Sequence, residues 1–172
     1  MRGGERYVRE DLEPSILYTM KRLNEGIVNF FRNQSFVIVS TIDSNGNPHN
    51  SCKGVLKINK TGKIYLLDLY LGRTYANLIR NPHIGITAVD GHLFKGYCLK
   101  GKAKIIPQDK ISPKMLRAWE ERVTGRITQR VLKNVRGERG HPKHPEALFP
   151  KPQYMIVVEV EEIVDLTPHH LT

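Results

Sequence analysis

Only two cysteines occur in 172 residues, Cys52 and Cys98. They make no disulfide framework and have no metal-ligand spacing, so buried thiols are the expectation. No apolar run reaches the length of a membrane span, and the charged start Met1-Arg2-Gly3-Gly4-Glu5-Arg6 has no apolar signal core. The expectation is a protein that stays in the cytoplasm and touches no membrane. There is no internal repeat and no block of consecutive basic residues. Aromatic residues are only 8% and are spread along the chain, so no platform for stacking bases is visible. What is present is an ordinary globular composition, 40% hydrophobic and 26% charged, in a chain the length of one domain.

The one unusual total is the net charge of +10. It fits a nucleic-acid binder, a site for an anionic small ligand, or a basic solvated surface. The cations are scattered, with modest concentrations from Lys95 to Lys104 and from Arg117 to Lys143. No nucleic-acid signature accompanies them, so an anionic cofactor with a solvated surface is the preferred explanation and no nucleic-acid partner is expected.

Along the chain, residues 1–13 lack periodicity and read as a loose arm. From Pro14, Ile16, Met20, Leu23, Ile27 and Phe30 recur at helical spacing, and the helix should end near Asn33. Six strands follow from apolar runs bounded by turn residues: Phe36–Ile42, His49–Ile58, Lys63–Leu69, Ile84–Val89, Leu93–Ile106 and Tyr154–Val164. Asn45-Gly46, Thr61-Gly62 and Asp90-Gly91 supply the turns. Gly96 and Gly101 inside the fifth strand suggest bulges or close approach of backbone. Ser112-Pro113 opens a second long helix carrying Met115, Leu116, Trp119 and Val123 and continuing through Ile127, Val131 and Leu132, with Gly125 a place where it could break. Residues 136–152 hold two glycines and four prolines and read as a loop. The sum is a mainly β single domain with flanking helices, a six-stranded antiparallel barrel whose filled interior leaves any ligand outside or at an interface.

A short helix over residues 73–81 is predicted between the third and fourth strands, stopped by Asn81-Pro82. Arg73 and Thr74 stand at its start, where free N–H groups and the positive end of the helix dipole suit a phosphate. On these residues alone, a solvated arginine and an ordinary capping threonine are the preferred explanation.

The combination Ile42–His49, then Gly72-Arg-Thr-Tyr-Ala-Asn-Leu-Ile-Arg-Asn-Pro82, then Gly96-Tyr-Cys-Leu-Lys-Gly-Lys-Ala103 resembles the pyridoxamine 5′-phosphate oxidase-like family of FMN-binding split barrels. The similarity covers roughly residues 25–106, with the last strand as the sixth member. The resemblance implies an FMN held across a homodimer interface, its phosphate on Arg73 and Thr74. The flavin would lie along Asn50, Ser51, Cys52, Lys53, Gly54 and Val55, with Leu67 or Asp68 meeting it and Lys95 and Gly96 reaching over from the partner. The oxidase proper usually has lysine where Thr74 stands, so one cation is missing, and Lys53 or Lys95 could replace it. The C-terminal segment by which the oxidase binds pyridoxal phosphate has no counterpart here, which argues against vitamin B6 oxidation.

The resemblance implies an FMN flavoprotein oxidoreductase using a small-molecule or protein electron donor. The alternatives are a non-enzymatic FMN carrier or electron-transfer module, or a basic nucleic-acid-binding barrel. FAD or a deazaflavin could stand in for FMN. No side chain is assigned as catalytic. His49 reads as a turn-edge histidine, Trp119 as a packing residue and His169-His170 as solvated. His141 and His144 are separated by Pro142 and make no metal site.

Overall fold

The computed structural model describes residues 20–138, 143 and 145–168; the expected N-terminal arm lies outside them. Helix α1 spans Glu25–Arg32. Of the predicted helix, residues 14–19 lie outside the described residues, and over residues 20–24 the helix is replaced because backbone partners claim them. Lys21 N–H donates to the Val160 carbonyl at 2.6 Å and Leu23 N–H to that of Lys60 at 2.9 Å. Asn24 then caps the helix, its side chain accepting from Ile27 N–H at 2.8 Å.

Seven strands form one antiparallel sheet: β1 Val37–Ile42, β2 Pro48–Lys53, β3 Val55–Ile58, β4 Lys63–Asp68, β5 His83–Asp90, β6 Lys95–Pro107 and β7 Tyr154–Asp165. The expectation of six strands fails at one residue. The run His49–Ile58 changes partner at Gly54: β2 pairs with β1 as far as Lys53 opposite Val37, and β3 pairs with β4 from Val55 opposite Leu66. The sheet order is β2-β1-β5-β6-β7-β4-β3, so its two ends are halves of one run joined at Gly54. A sheet whose ends are one residue apart must curl round on itself, which gives the barrel-like form.

The interior is filled. Val28, Phe31, Val39, Ile64, Leu66, Ile86, Leu99, Ile156, Val158 and Val160 have no exposed surface. Helix α2, Arg73–Arg80, packs Leu78 into this core, and Asn77 donates to the Thr41 hydroxyl at 3.0 Å. Asn81 ends it, as the following proline requires.

After β6, Ser112 caps α3, Pro113–Val135, by accepting from Met115 N–H at 3.4 Å. The helix runs through Gly125 without a break, because a missing side chain weakens a helix without obstructing its hydrogen bonds. Its Met115, Leu116 and Trp119 pack on a second, smaller cluster around Leu67, Ile111 and Met155. Among its described residues, the loop expected over residues 136–152 contains a 3₁₀ turn, Pro145–Leu148. Among the described residues, no helix is long and apolar enough to cross a membrane.

Candidate functional site

The start of α2 is bare. Its cap position is Gly72, which has no side chain to bond the free N–H groups of the first turn. Arg73 is exposed and makes no hydrogen bond or ion pair among the described residues. Thr74 is buried, and its hydroxyl lies 3.0 Å from the hydroxyl of Ser51 on β2. Three kinds of donor therefore meet at one place: backbone N–H, guanidinium and paired hydroxyls. An anion is the natural guest of such a set.

Two residues further along β2, Lys53 points to the end of β4 and forms an ion pair with Asp68. The pair is enclosed, with side chains 8% and 12% exposed. Tyr154 of β7 donates its hydroxyl to the same Asp68 oxygen at 2.5 Å, and Leu69 N–H donates to the other at 2.8 Å. Burial, reinforced by the carboxylate it serves, pushes the Tyr154 phenol well above its usual range, so it stays a donor at any working pH. Tyr75 of α2 lies edge-on to Tyr154 at 5.0 Å between ring centres. The cluster thereby ties β2, β4, β7 and α2 together.

Beside this cluster opens a cavity of about 370 Å³. Cys52, Lys53, Gly54, Leu67 and Asp68 line it from the barrel, and Trp119, Arg122 and Arg126 close it from α3. The fold thus brings five of the expected site residues to one cavity and places Arg73, Thr74 and Ser51 at the helix start nearby. Asn50 lies on the same strand, exposed, and accepts from the Ser40 hydroxyl at 2.7 Å.

Three expected residues stand elsewhere. The Val55 side chain is buried in the core at 2% exposure, so only its backbone is available. Lys95 and Gly96 open β6, which lies three strands from β2 in the sheet order. The Lys95 ammonium sits 5.6 Å from the Tyr97 ring centre, and Gly96 is buried against Val89 and Leu166. Within one chain Lys53 is paired with Asp68, and Lys95 lies on a strand remote from Arg73, as a residue reaching over from a partner would.

The α3 residues of the cavity are absent from the expected set. Trp119 was legible only as a packing residue, yet it both packs and lines the cavity. The spacing of Trp119, Arg122 and Arg126 on one helix was the available signal. Tyr154 had none, since it lies 86 positions from the carboxylate it serves. Cys52 is exposed, Cys98 is half-buried and both are free thiols. His49 is half-buried at the start of β2. His141, His144, His169 and His170 lie outside the described residues.

Solved structures of the same fold include a pyridoxamine 5′-phosphate oxidase-type protein from Lactobacillus delbrueckii. It is 20% identical, with a TM-score of 0.55, over 83% of this chain and 93% of that one. HupZ of Group A Streptococcus is 19% identical with a TM-score of 0.56, covering 84% and 95% of the two chains. A protein described as F420 reductase is 14% identical with a TM-score of 0.52, covering 83% and 98%. No curated protein matches the sequence significantly. The model of the family described as pyridoxamine 5′-phosphate oxidase matches residues 23–161, a span that includes α3 and most of β7 as well as the strands and α2. The chain belongs to the pyridoxamine 5′-phosphate oxidase-like family.

Proposed function

We propose that the chain is an FMN-binding flavoprotein that acts as an oxidoreductase and works as a homodimer. The observation that carries this is the uncapped start of α2, where a free Arg73 and the Thr74–Ser51 hydroxyl pair stand beside the strand that leads to the cavity. The donor set fits a phosphate monoester. Arg73 and the first-turn N–H groups would hold its oxygens, and Thr74 would add a hydroxyl. Backbone groups of Asn50–Val55 would meet the polar edge of the ring. Bound flavin would supply the capacity to accept a hydride or electrons. The protein would orient it and keep Tyr154 protonated.

The cavity favours an enzyme over a carrier, since an electron-transfer module needs no room for a second molecule. For the dimer, support comes from the outer face of β1 and β5, where Ile38, Ile42 and Val89 are 41%, 40% and 61% exposed and no element among the described residues covers them. An apolar sheet face of this kind suits a second copy. Only a partner could bring Lys95 and Gly96 to the β2–α2 residues. Sedimentation showing a monomer with flavin fully bound would remove the dimer from the proposal.

The test of the flavin is Arg73→Ala. A charge-assisted hydrogen bond contributes about 1.5–3 kcal/mol net, so FMN affinity should fall by about one to two orders of magnitude. Riboflavin has no phosphate and its affinity should change much less. Unchanged FMN affinity in a folded variant would place the phosphate elsewhere. Retention of FAD or a deazaflavin in preference to FMN would keep the site and change the cofactor.

A further inference from the structure

Helix α3 carries Arg122, Arg126, Arg130 and Lys133 at spacings of four, four and three, which places all four cations on one face. At about 1.5 Å per residue the stripe is roughly 16 Å long. Opposite it, Arg32, Asn33 and Gln34 close a second cavity of about 800 Å³ between α1 and α3. This cavity shares Phe36, Arg122 and Arg126 with the one beside Asp68, so the two form one groove.

A row of basic residues on a helix is ordinarily a solvated face. Here three observations oppose that. Arg122, Arg126 and Arg130 are each half-buried rather than extended into water. The described lining of the groove holds two carboxylates and both are already engaged: Arg130 takes both oxygens of Glu146, and Lys53 pairs with Asp68. Arg122 makes no hydrogen bond or ion pair among the described residues, and its charged neighbour one turn on is another arginine. Burial, then the Arg126 charge, weakens its hold on its proton relative to a free arginine. Arg126 itself is fixed, donating to the Ser35 carbonyl and lying over Gly54, where an added Cβ would come within 3.3 Å of its guanidinium. Two like charges held side by side in a groove, one fixed and one unpartnered, fit a multiply charged anion bound between them.

We propose that this groove binds the polyphosphate end of the reductant that serves the flavin, by chemical class a reduced nicotinamide dinucleotide, its ring end directed to the cavity beside Trp119. The inference rests on the flavin reading for the identity of the reaction, while the anion groove rests on α3 alone.

The experiment titrates FMN-loaded protein with NADPH and with tripolyphosphate by calorimetry, at low and high salt. Arg122→Gln is the decisive variant, because among the described residues the side chain has no hydrogen-bond or ion-pair partner to lose. Both probes should bind wild type in a salt-sensitive way, and Arg122→Gln should weaken both by about tenfold. The thermal midpoint of Arg122→Gln should stay level or rise, since a like-charge contact is removed. Equal binding by wild type and variant overturns the proposal. So does a midpoint that falls in parallel with affinity, which would make Arg122 a structural residue. A single-stranded RNA 12-mer that binds and is not displaced by NADPH also overturns it, in favour of a nucleic acid. Protein that holds FMN but binds neither probe refutes the groove alone. Protein that holds no FMN, yet binds tripolyphosphate through Arg122, refutes the flavin reading and sustains the anion groove.

Discussion

Asp68→Asn tests the physical account of the cluster that joins β2, β4, β7 and α2. The substitution preserves shape and removes one charge. Lys53, with a side chain only 8% exposed, then stands without its counter-ion, and the Tyr154 hydroxyl loses a carboxylate acceptor. Removing one partner of a buried pair typically costs about 3–5 kcal/mol, because the remaining charge stays desolvated. Asparagine can still accept from Leu69 N–H, so the lower part of that range, about 3 kcal/mol, is expected. For a chain of this length each kcal/mol moves the thermal midpoint by about 2–4 °C, so a drop of about 6–12 °C should appear. The double variant Lys53→Met, Asp68→Asn removes the stranded charge as well and should recover most of the loss, giving a coupling energy of about 1–3 kcal/mol in the cycle. Thermal and urea unfolding of the four proteins, with FMN content recorded beside them, measures this. A midpoint drop below about 2 °C for Asp68→Asn, or a double variant worse than either single, would refute the reasoning, since neither is compatible with an enclosed ion pair.

Two glycines of similar appearance in the sequence should behave oppositely. A Cβ at Gly101, where β6 shifts register against β7, would come within 2.0 Å of the Glu159 carbonyl oxygen. Gly101→Ala should therefore cost more than about 3 kcal/mol or prevent soluble expression. A Cβ at Gly125 meets nothing within 4 Å, and Gly125→Ala in mid-α3 should stabilise by about 0.5–1 kcal/mol on urea unfolding. Burial raises the Glu146 carboxyl pKa, but the hydrogen bonds from Arg130 outweigh it, and the net shift is below the usual value of 4.5. The folded pKa is lower than the unfolded one, so the pair's stability is fully present above about pH 4.5 and drains as pH falls through the folded value. Glu146→Gln should lower the midpoint at pH 7, with the gap to wild type narrowing towards pH 3; a gap independent of pH would exclude the ion pair as its cause.

Much of the site was legible because its signals are local. Asn81-Pro82 stops α2 whatever surrounds it, and Gly72-Arg73-Thr74 marks a helix start with a cation and a hydroxyl in consecutive positions. The hairpin turns at Asn45-Gly46 and Thr61-Gly62 follow equally from short-range backbone preference, with Gly46 at φ 83° and Gly62 at φ 88°. The amphipathic spacing around Trp119 gave α3, although not its second role as a cavity wall.

What the sequence could not determine are the relations between distant residues. Nothing within the run His49–Ile58 shows that it leaves β1 and joins β4 at Gly54, because the change of partner is set by the order of the whole sheet. The same closure brings both Lys53 and Tyr154 to the Asp68 carboxylate, which puts Lys53 in an enclosed ion pair. Local preference fixes where the chain turns and which face of an element is apolar. Which charges become neighbours depends on burial and on pairing across many intervening residues, and those exist only once the barrel has closed.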